Sequence, residues 1–384
     1  MIKSFTASTC QIDDAEAAIA EITAKLDFET KLLKNTLGII SCFSEFRETG
    51  VLKAICDALP FDCIGTSSCI CATGGEVDQI ILAITVLTSD DCFFDTAVIP
   101  VTHEDYKDSI RAVISAQRRR IKEKPTLILG YFPLMNNLSG DIILSELDSA
   151  TEGIPIFGTM AVDHKTDYST AITIRNGDTY REAIVIGAVY GNLKVAFEIA
   201  SLDENKIMTQ TAIITGSEGN ILTGVNGKTA LEYLGEIGLK REDLMSGVGI
   251  TPLVVDHRDG TKPVARAVFT LTHEGRVVCG GAMPVNATLA LGRINMHDVL
   301  DTTEKALHTL IEKDCVILSY SCIARYLTLG VNYTAEAEKI IEVAGDEANY
   351  LFAHSGGEIC PLPDENGKLV NYFHNFTNVF CRLS

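Results

Sequence analysis

The chain has 384 residues, of which 46% are hydrophobic and 22% charged, a composition typical of a globular protein. Its 51 acidic and 32 basic residues give a formal net charge of −19, and such a surface repels phosphate backbones and anionic lipid. We therefore expect neither nucleic acid nor a membrane surface as a partner. The length predicts two domains, which we place at residues 1–205 and 206–384.

Twelve cysteines are scattered through apolar segments, where a free cysteine behaves as a small hydrophobe. The first residues run into polar Gln11, Asp13 and Asp14 without the apolar core of an export signal, and no apolar run reaches the roughly 20 residues that span a bilayer. The sequence thus predicts a reduced, soluble, cytoplasmic protein without disulfides. Cys69 and Cys71 form an isolated Cys-x-Cys pair, which is weak evidence for metal, and we expect no metal site.

The first 150 residues alternate between strand and helix patterns. Apolar periodicity and turn residues predict, in chain order, strand 2–8, helix 13–26, strand 36–43, helix 47–59, strand 61–66, strands 79–87 and 93–101, helix 104–121, strand 126–131 and helix 139–149. From residue 154 short strands follow one another, with hairpin dipeptides at Asn176-Gly177 and Gly191-Asn192. This part predicts an antiparallel meander rather than a repeated βαβ unit.

The rest of the chain mixes hairpins with helices. The patterns predict strands 172–175, 183–190 and 194–200, a hairpin at 212–223, helix 228–238, strands near Leu253 and at 266–271, 277–280 and 289–294, helix 296–313, strand 315–320, helix 335–343, and strands 350–353 and 372–383. The fold class expected is mixed α/β (α+β), with two modules of largely antiparallel or mixed sheets flanked by helices.

Three carboxy-terminal segments could carry chemistry, whereas no phosphate-binding loop, dinucleotide fingerprint or nucleophile elbow occurs. Strand 315–320 leads into Cys322 and Arg325. The Cys322 thiol would face free backbone N–H groups, and the planar guanidinium of Arg325 suits a carboxylate. Gly357 precedes Glu358 in a Gly-Gly-Glu turn that allows close backbone approach. His374, Asn375 and Thr377 lie in the last strand, where alternation places His374 opposite the other two. Each segment alone is equally compatible with a structural role.

Together these segments resemble the C-terminal module of the FIST family, a sensory domain of bacterial signal-transduction proteins. The resemblance rests on Ser321-Cys322-Ile323-Ala324-Arg325, the acids Glu336 and Glu338, Gly357-Glu358-Ile359 and His374-Asn375-Phe376-Thr377, in the family's order and spacing. The amino-terminal half is similar to the family's other module at Ile64-Gly65-Thr66-Ser67-Ser68, at Gly153–Gly158 followed by Asp163, and at Val264-Ala265-Arg266. Ala324, Thr159 and Asn286 stand where the family commonly has glycine.

The resemblance implies a free-standing sensor that binds an amino acid or a related metabolite. Its output partner would be a separate signalling protein, such as a histidine kinase, a chemoreceptor or a cyclic-dinucleotide enzyme. The residues expected to contact the ligand are Cys322, Arg325, Gly357, Glu358, His374, Asn375, Thr377, Arg266, Gly65, Ser67 and Asp163. Arg325 or Arg266 would hold a carboxylate, and Glu358 would accept from an amine.

Two alternatives stay open at this point. The chain could be a cysteine-dependent hydrolase or transferase that uses Cys322 as nucleophile and His374 as base, with Glu358 or Asn375 orienting the base. It could also be a haem-based nitric oxide sensor, with His374, His354 or a cysteine as axial ligand. We expect no cofactor, because no haem-specific spacing is present.

Overall fold

The computed structural model describes residues 2–135, 138–165, 167–239, 241, 249–258, 262–272, 274–364 and 366–384. The predicted mixed α/β class is confirmed, since mixed and antiparallel sheets are flanked by helices. Three six-stranded sheets share one strand order, in which two antiparallel strands, a parallel pair and a β-hairpin follow one another. Each of these sheets is built around one of three successive units of the chain.

The first unit contains the predicted alternation of strands and helices. Its elements are β1 (Ile2–Thr9), α1 (Ala15–Leu26), α2 (Phe28–Lys31), β2 (Asn35–Cys42), α3 (Glu45–Glu48), α4 (Val51–Ala58), β3 (Asp62–Ser67), β4 (Cys71–Thr73), β5 (Glu76–Asp78) and β6 (Leu82–Ser89). Helix α1 begins where the acidic pair predicts, because the Asp14 side chain caps it by accepting from the Ala17 N–H at 2.9 Å. β2 and β3 are parallel, with α3 and α4 as the crossover.

The second unit repeats this plan. Its elements are β7 (Phe93–Pro100), α5 (Tyr106–Arg120), β8 (Leu127–Phe132), α6 (Gly140–Thr151), β9 (Ile156–Met160), β10 (Thr173–Arg175), β11 (Asp178–Tyr180) and β12 (Ala183–Tyr190). The expectation of a meander without repeated βαβ units is wrong, because α6 returns the chain so that β9 pairs parallel with β8. The antiparallel hairpins begin only at residue 173.

The third unit starts with β13 (Val195–Ala200) and is then interrupted by an inserted antiparallel sheet of seven strands. The inserted elements are a 3₁₀ turn (Glu204–Lys206), β14 (Ile207–Glu218), β15 (Ile221–Val225), β16 (Lys228–Thr229), α7 (Ala230–Glu236), β17 (Gly249–Asp256), β18 (Val264–Leu271), β19 (Val277–Cys279) and β20 (Thr288–Gly292). Both β14 and β17 pair with β20, so the insert forms a sheet separate from the three others.

After the insert, the third unit resumes the common plan. Its elements are α8 (Met296–Leu310), β21 (Cys315–Cys322), α9 (Ile323–Leu329), a 3₁₀ turn (Gly330–Asn332), α10 (Ala335–Ala344), β22 (Ala348–Ser355), β23 (Glu358–Pro363), β24 (Leu369–His374) and β25 (Asn378–Leu383). β21 and β22 are parallel across α9 and α10. The single strand predicted at 372–383 is wrong: the chain breaks at 375–377, where Phe376 adopts a left-handed φ of 59°.

The three units exchange their hairpins. Hairpin β10–β11 completes the sheet of the first unit, β23–β24 that of the second, and β4–β5 that of the third. The largest apolar cluster accordingly contains buried residues of all three units, among them Ile39, Phe157 and Tyr320. Two of these sheets thus combine strands from both sides of residue 205, and the domain boundary placed there stays a prediction.

Candidate functional site

The carboxyl ends of the three parallel strand pairs meet at one end of the molecule. Ser67 Oγ at the end of β3 donates to the Val162 carbonyl at 2.9 Å, and the Gly356 N–H donates to the Met160 carbonyl at 2.9 Å. Ser68 Oγ closes the ring by donating to the His354 carbonyl at 3.0 Å. Carboxyl ends of strands are the usual location of ligand sites in α/β sheets. This ring holds the predicted motifs in place.

The carboxy-terminal motifs are brought together as expected. The Cys322 N–H donates to the Thr377 carbonyl at 2.9 Å, and Thr377 Oγ1 donates to Glu358 Oε2 at 2.8 Å. Glu358 is fully buried, and its second oxygen, Oε1, has no hydrogen-bond partner. Thr377 therefore links the ends of β21 and β23 to the break between β24 and β25.

Burial governs the ionisation of this cluster. It raises the pKa of the Glu358 carboxyl well above its usual value, although the Thr377 hydroxyl opposes the shift. Burial and the neighbouring Glu358 also raise the pKa of the Cys322 thiol, although the N–H groups of Ala324 and Phe376 oppose that shift. Reactive cysteines have lowered pKa values and partial exposure, whereas Cys322 is 1% exposed. Within the part of the chain that the structure describes, no hydrogen bond joins Cys322 to His374.

Asn375 and Phe376 form the strained link beside this cluster. Asn375 is fully buried with neither its Oδ1 nor its Nδ2 hydrogen-bonded, which is costly for an amide. It packs against Gly280, where a Cβ would lie 2.5 Å from Oδ1. Phe376, buried beside Cys322, takes the left-handed backbone conformation that aromatic residues rarely adopt. Unsatisfied polar groups and backbone strain concentrate at functional sites.

Arg325 lies in a buried ion pair rather than at an opening. Its Nη2 and Nε lie 2.8 and 3.0 Å from Glu336 Oε1, and both side chains are fully buried. Nη2 also donates to the Val299 carbonyl at 2.8 Å and to Thr303 Oγ1 at 2.9 Å. Glu336 accepts in addition from Ser321 Oγ at 2.6 Å. The guanidinium thus contacts protein acceptors and not a cavity, contrary to the expected geometry of a ligand clamp.

Arg266 also points into the protein. Its Nη1 donates to the Phe373 carbonyl at 3.1 Å and to the Ala265 carbonyl at 3.3 Å. Its side chain packs against Gly281, where a Cβ would lie 2.7 Å from Nε. Burial lowers the pKa of this guanidinium, although Asp141 opposes the shift. Arg266 therefore ties β18 of the insert to β24 of the third unit.

The remaining predicted residues serve the packing of the strand ends. Ser67 also accepts from the Ile172 N–H at 2.9 Å, and Asp163 accepts from the Lys165 and Thr170 N–H groups at 2.8 and 2.6 Å. Gly357 packs closely against Phe373, because a Cβ at position 357 would lie 2.1 Å from the Phe373 ring. Gly65 packs in the same way against the backbone of β2.

A cavity of about 590 Å³ that no sequence motif predicted lies between the insert and the third unit. His374 and Thr377 are the two expected site residues that line it. The other lining residues come from distant segments: Glu198, Ile199, Ser201, Leu202, Ile207, Val254, Lys262, Pro263, Val264, Ala265, Leu362, Pro363, Asp364, Val370 and Tyr372. No local motif predicts a cavity lining of this kind. The only sequence signal for it was the Arg-bearing strand that contains Ala265.

Two buried histidines complete the surroundings. His374 Nε2 lies 3.2 Å from the Cys360 carbonyl, and His354 Nδ1 lies 3.3 Å from the Ser321 carbonyl. The His354 ring packs edge-on against Tyr326 and Phe352, with centroids 5.2 and 5.0 Å away, and its Nε2 has no hydrogen-bond partner. Burial lowers the pKa of both histidines to about 4.

These histidines predict acid destabilisation. A folded pKa of about 4 against 6.5 unfolded gives a contribution that is present above pH 6.5 and lost as the pH falls toward 4. Each histidine should therefore lower the free energy of unfolding by about 2 kcal/mol when the pH falls from 7 to 5. The raised pKa of Glu358 acts oppositely, because that contribution is lost as the pH rises. When the pH falls from 7 to 5, the free energy of unfolding of His354→Phe should fall by about 2 kcal/mol less than that of the wild type. Urea denaturation at the two pH values measures this difference.

A control at His308, whose side chain is 66% exposed, corrects for general effects of removing an imidazole. The Glu358 contribution cancels because both proteins retain that residue. Equal pH dependence in His354→Phe and the wild type would contradict a buried, neutral His354.

In the described residues, no group of three or more His, Cys, Asp or Glu is arranged to hold a metal ion. Over the same residues, no helix has the length and apolar character needed to cross a membrane.

A search of curated proteins found no match. The FIST N domain matches residues 36–228, and the FIST C domain matches residues 230–361. These matches cover most of the chain, which therefore belongs to the FIST family, whose domains are sensory domains of signal-transduction proteins.

Proposed function

We propose that this protein senses an amino acid or a related metabolite in the 590 Å³ cavity between the insert and the third unit. One observation carries the proposal: Thr377 lines the cavity and is hydrogen-bonded both to the buried Glu358 and to the backbone of Cys322. A ligand that touches Thr377 is thereby in contact with the motif that identifies the family. Cavities of this size that combine an apolar lining with a few polar groups suit small ligands.

The charges of the cavity suit a zwitterion. Lys262 can hold a carboxylate, and Asp364, whose Oδ1 already accepts from the Asn366 and Lys368 N–H groups at 2.9 Å, can accept from an ammonium group through Oδ2. The apolar wall that would receive the ligand's side chain includes Ile199, Leu202, Val254, Val264 and Leu362. This assigns the carboxylate to Lys262 instead of Arg325 or Arg266, whose donors already face protein carbonyls or carboxylates.

We further propose that the protein works as a sensor in the bacterial cytoplasm. Its output would pass to a separate chain, such as a histidine kinase, a chemoreceptor or a cyclic-dinucleotide enzyme. The net charge of −19 supports a soluble protein that avoids nucleic acid and anionic membranes.

Blocking the cavity should abolish binding. The twenty amino acids and common nucleotides are screened by thermal shift, since a ligand that binds only the folded state raises Tm, and hits are measured by calorimetry. We expect Ala265→Phe to weaken the hit at least about hundredfold, because the ring occupies the cavity, and Lys262→Glu to weaken it about tenfold through charge repulsion.

Matched controls separate cavity effects from general ones. Ala116→Phe and Lys122→Glu place the same changes at exposed positions of α5 and beyond its end, and both should leave affinity unchanged. A hit that binds Ala265→Phe and Lys262→Glu as tightly as the wild type would place the ligand elsewhere. No hit among amino acids or related metabolites would refute the ligand class.

We propose neither catalysis nor haem binding. The buried, raised-pKa thiol of Cys322 argues against a nucleophile, because attack requires an accessible thiolate. His354 is fully buried between two aromatic rings and does not line the cavity, and His374 Nε2 lies 3.2 Å from the Cys360 carbonyl, a contact that an iron at that nitrogen would have to displace. A Soret shift on haem titration of the purified protein would overturn this view.

A further inference from the structure

We propose that an exposed apolar surface on α9 and the turn after it docks the output partner, and that this partner presents an apolar centre rimmed by lysine or arginine. We call this surface the output face, defined by Ile80, Leu327, Val331 and Tyr333. The proposal rests on the sensory role proposed above, and it names the location and chemistry of its partner contact.

Exposed apolar side chains are concentrated there. Among the described residues, six large hydrophobic side chains are exposed, and four of them form the output face. Val331 is the most extreme at 92% exposure. Tyr326 links two of the members: its ring centroid lies 6.1 Å from that of Tyr333, and its hydroxyl lies 3.4 Å from the Nε2 of Gln79, next to Ile80. Leu327 follows Tyr326 directly in α9, and Val331 lies in the turn between them and Tyr333. Exposed apolar side chains scattered singly need no explanation, whereas a cluster marks an interaction site.

Charge selects the occupant. Two exposed acids lie beside the output face: Asp78 Oδ1 accepts from the Ile80 N–H at 3.1 Å, and Glu338 Oε1 accepts from the hydroxyl of Thr334, the neighbour of Tyr333, at 2.8 Å. The nearby cations are already paired, Lys25 with Glu76 at 3.0 Å and Lys339 with another acid of α10. An acidic rim on a chain of net charge −19 repels anionic lipid and a second copy of itself. It attracts a protein surface with a basic rim.

The output face is mechanically close to the cavity. Helix α9 begins directly after Cys322, whose N–H is held by the carbonyl of the cavity residue Thr377. Leu327 lies on that helix, and its neighbour Tyr326 packs against the ring of buried His354. A ligand that shifts Thr377 therefore acts on the start of the helix that carries the output face.

The probe is a fluorescein-labelled 18-residue amphipathic helical peptide with a leucine face flanked by lysines, compared with the same peptide carrying glutamates. Fluorescence anisotropy should show binding of the lysine peptide to the wild type and at least tenfold weaker binding of the glutamate peptide. Val331→Asp and Leu327→Asp should each weaken the lysine peptide at least tenfold. The matched variants Val285→Asp and Leu369→Asp, at the two exposed apolar positions outside the face, should not.

Raising the salt from about 0.05 to 0.5 M should weaken the lysine peptide, because rim charges are screened. Absent binding, binding indifferent to peptide charge, or equal binding to Val331→Asp would overturn the proposal. Sedimentation velocity tests the other occupant: a wild-type dimer that Val331→Asp dissociates would assign the face to a second copy. The peptide titrations are made without any amino acid or nucleotide, so failure of the cavity proposal and failure of this one are distinguishable.

Discussion

Replacing Arg325 with alanine is expected to lower the free energy of unfolding by about 3–5 kcal/mol, because it leaves the fully buried Glu336 carboxylate without its ion-pair partner. Burial alone would raise the pKa of Glu336, but the Arg325 charge and hydrogen bonds from three side chains lower it below its usual value. That carboxylate joins α8, β21, α9 and α10 through Thr303, Ser321 and Arg325. Urea denaturation at neutral pH measures the loss.

The surface ion pair between Arg118 and Glu152 provides the matched control. Its atoms also lie 2.8 Å apart, but the side chains are 41% and 55% exposed, so Arg118→Ala should cost less than about 1 kcal/mol. The double variant Arg325→Ala with Glu336→Ala should lose clearly less than the sum of the single variants, because removing both charges leaves neither one unpaired. A loss below about 1 kcal/mol in Arg325→Ala would contradict the buried pair.

This network changes the role of Arg325. The sequence pattern indicated a carboxylate-binding arginine, and the structure contains one, but the carboxylate is Glu336 of the same chain. The pattern could not distinguish the two cases, because a guanidinium recognises an internal and an external carboxylate by the same hydrogen bonds. Glu336 was itself part of the family resemblance, so the partner was present in the motif.

The last motif shows where strand alternation fails. Alternation placed His374 on the face opposite Thr377, yet both side chains line the cavity. The left-handed backbone of Phe376 interrupts the extended chain between them, so alternation does not continue from His374 to Thr377. The residue type does not predict a positive φ at Phe376, because glycine and asparagine are the residues that favour this conformation.

The elements themselves were largely predictable, whereas their assembly was not. Helix and strand patterns are local, so α1, α5, α8 and most strands follow from periodicity. The exchange of hairpins between units is set by pairings such as Phe352 with Ala72, which join residues far apart in the chain. The cavity depends on the insert meeting β24 and is non-local for the same reason.

Replacing Gly65 with alanine is expected to cost about 3 kcal/mol or more, because the new Cβ would lie 1.8 Å from the Ile40 carbonyl oxygen. That oxygen belongs to the backbone of β2, so relief requires moving one parallel strand away from the other. Gly158 in β9 has the same 1.8 Å contact with the Gly130 carbonyl of β8, and Gly158→Ala should lose a similar amount. Thermal and urea unfolding of both variants measure the loss.

The two contacts occur at corresponding positions of two units. Gly65 and Gly158 are each followed by threonine, and both lie in the second strand of a parallel pair whose end forms the ring beneath the site. Gly235 is the control: nothing lies within 4 Å of a Cβ there, so Gly235→Ala in helix α7 should gain up to about 1 kcal/mol. Because the glycine contacts are with backbone and not with a cavity, Gly65→Ala should impair ligand binding only through unfolding. Loss of affinity in a fully folded Gly65→Ala protein would instead indicate that Gly65 belongs to the ligand site.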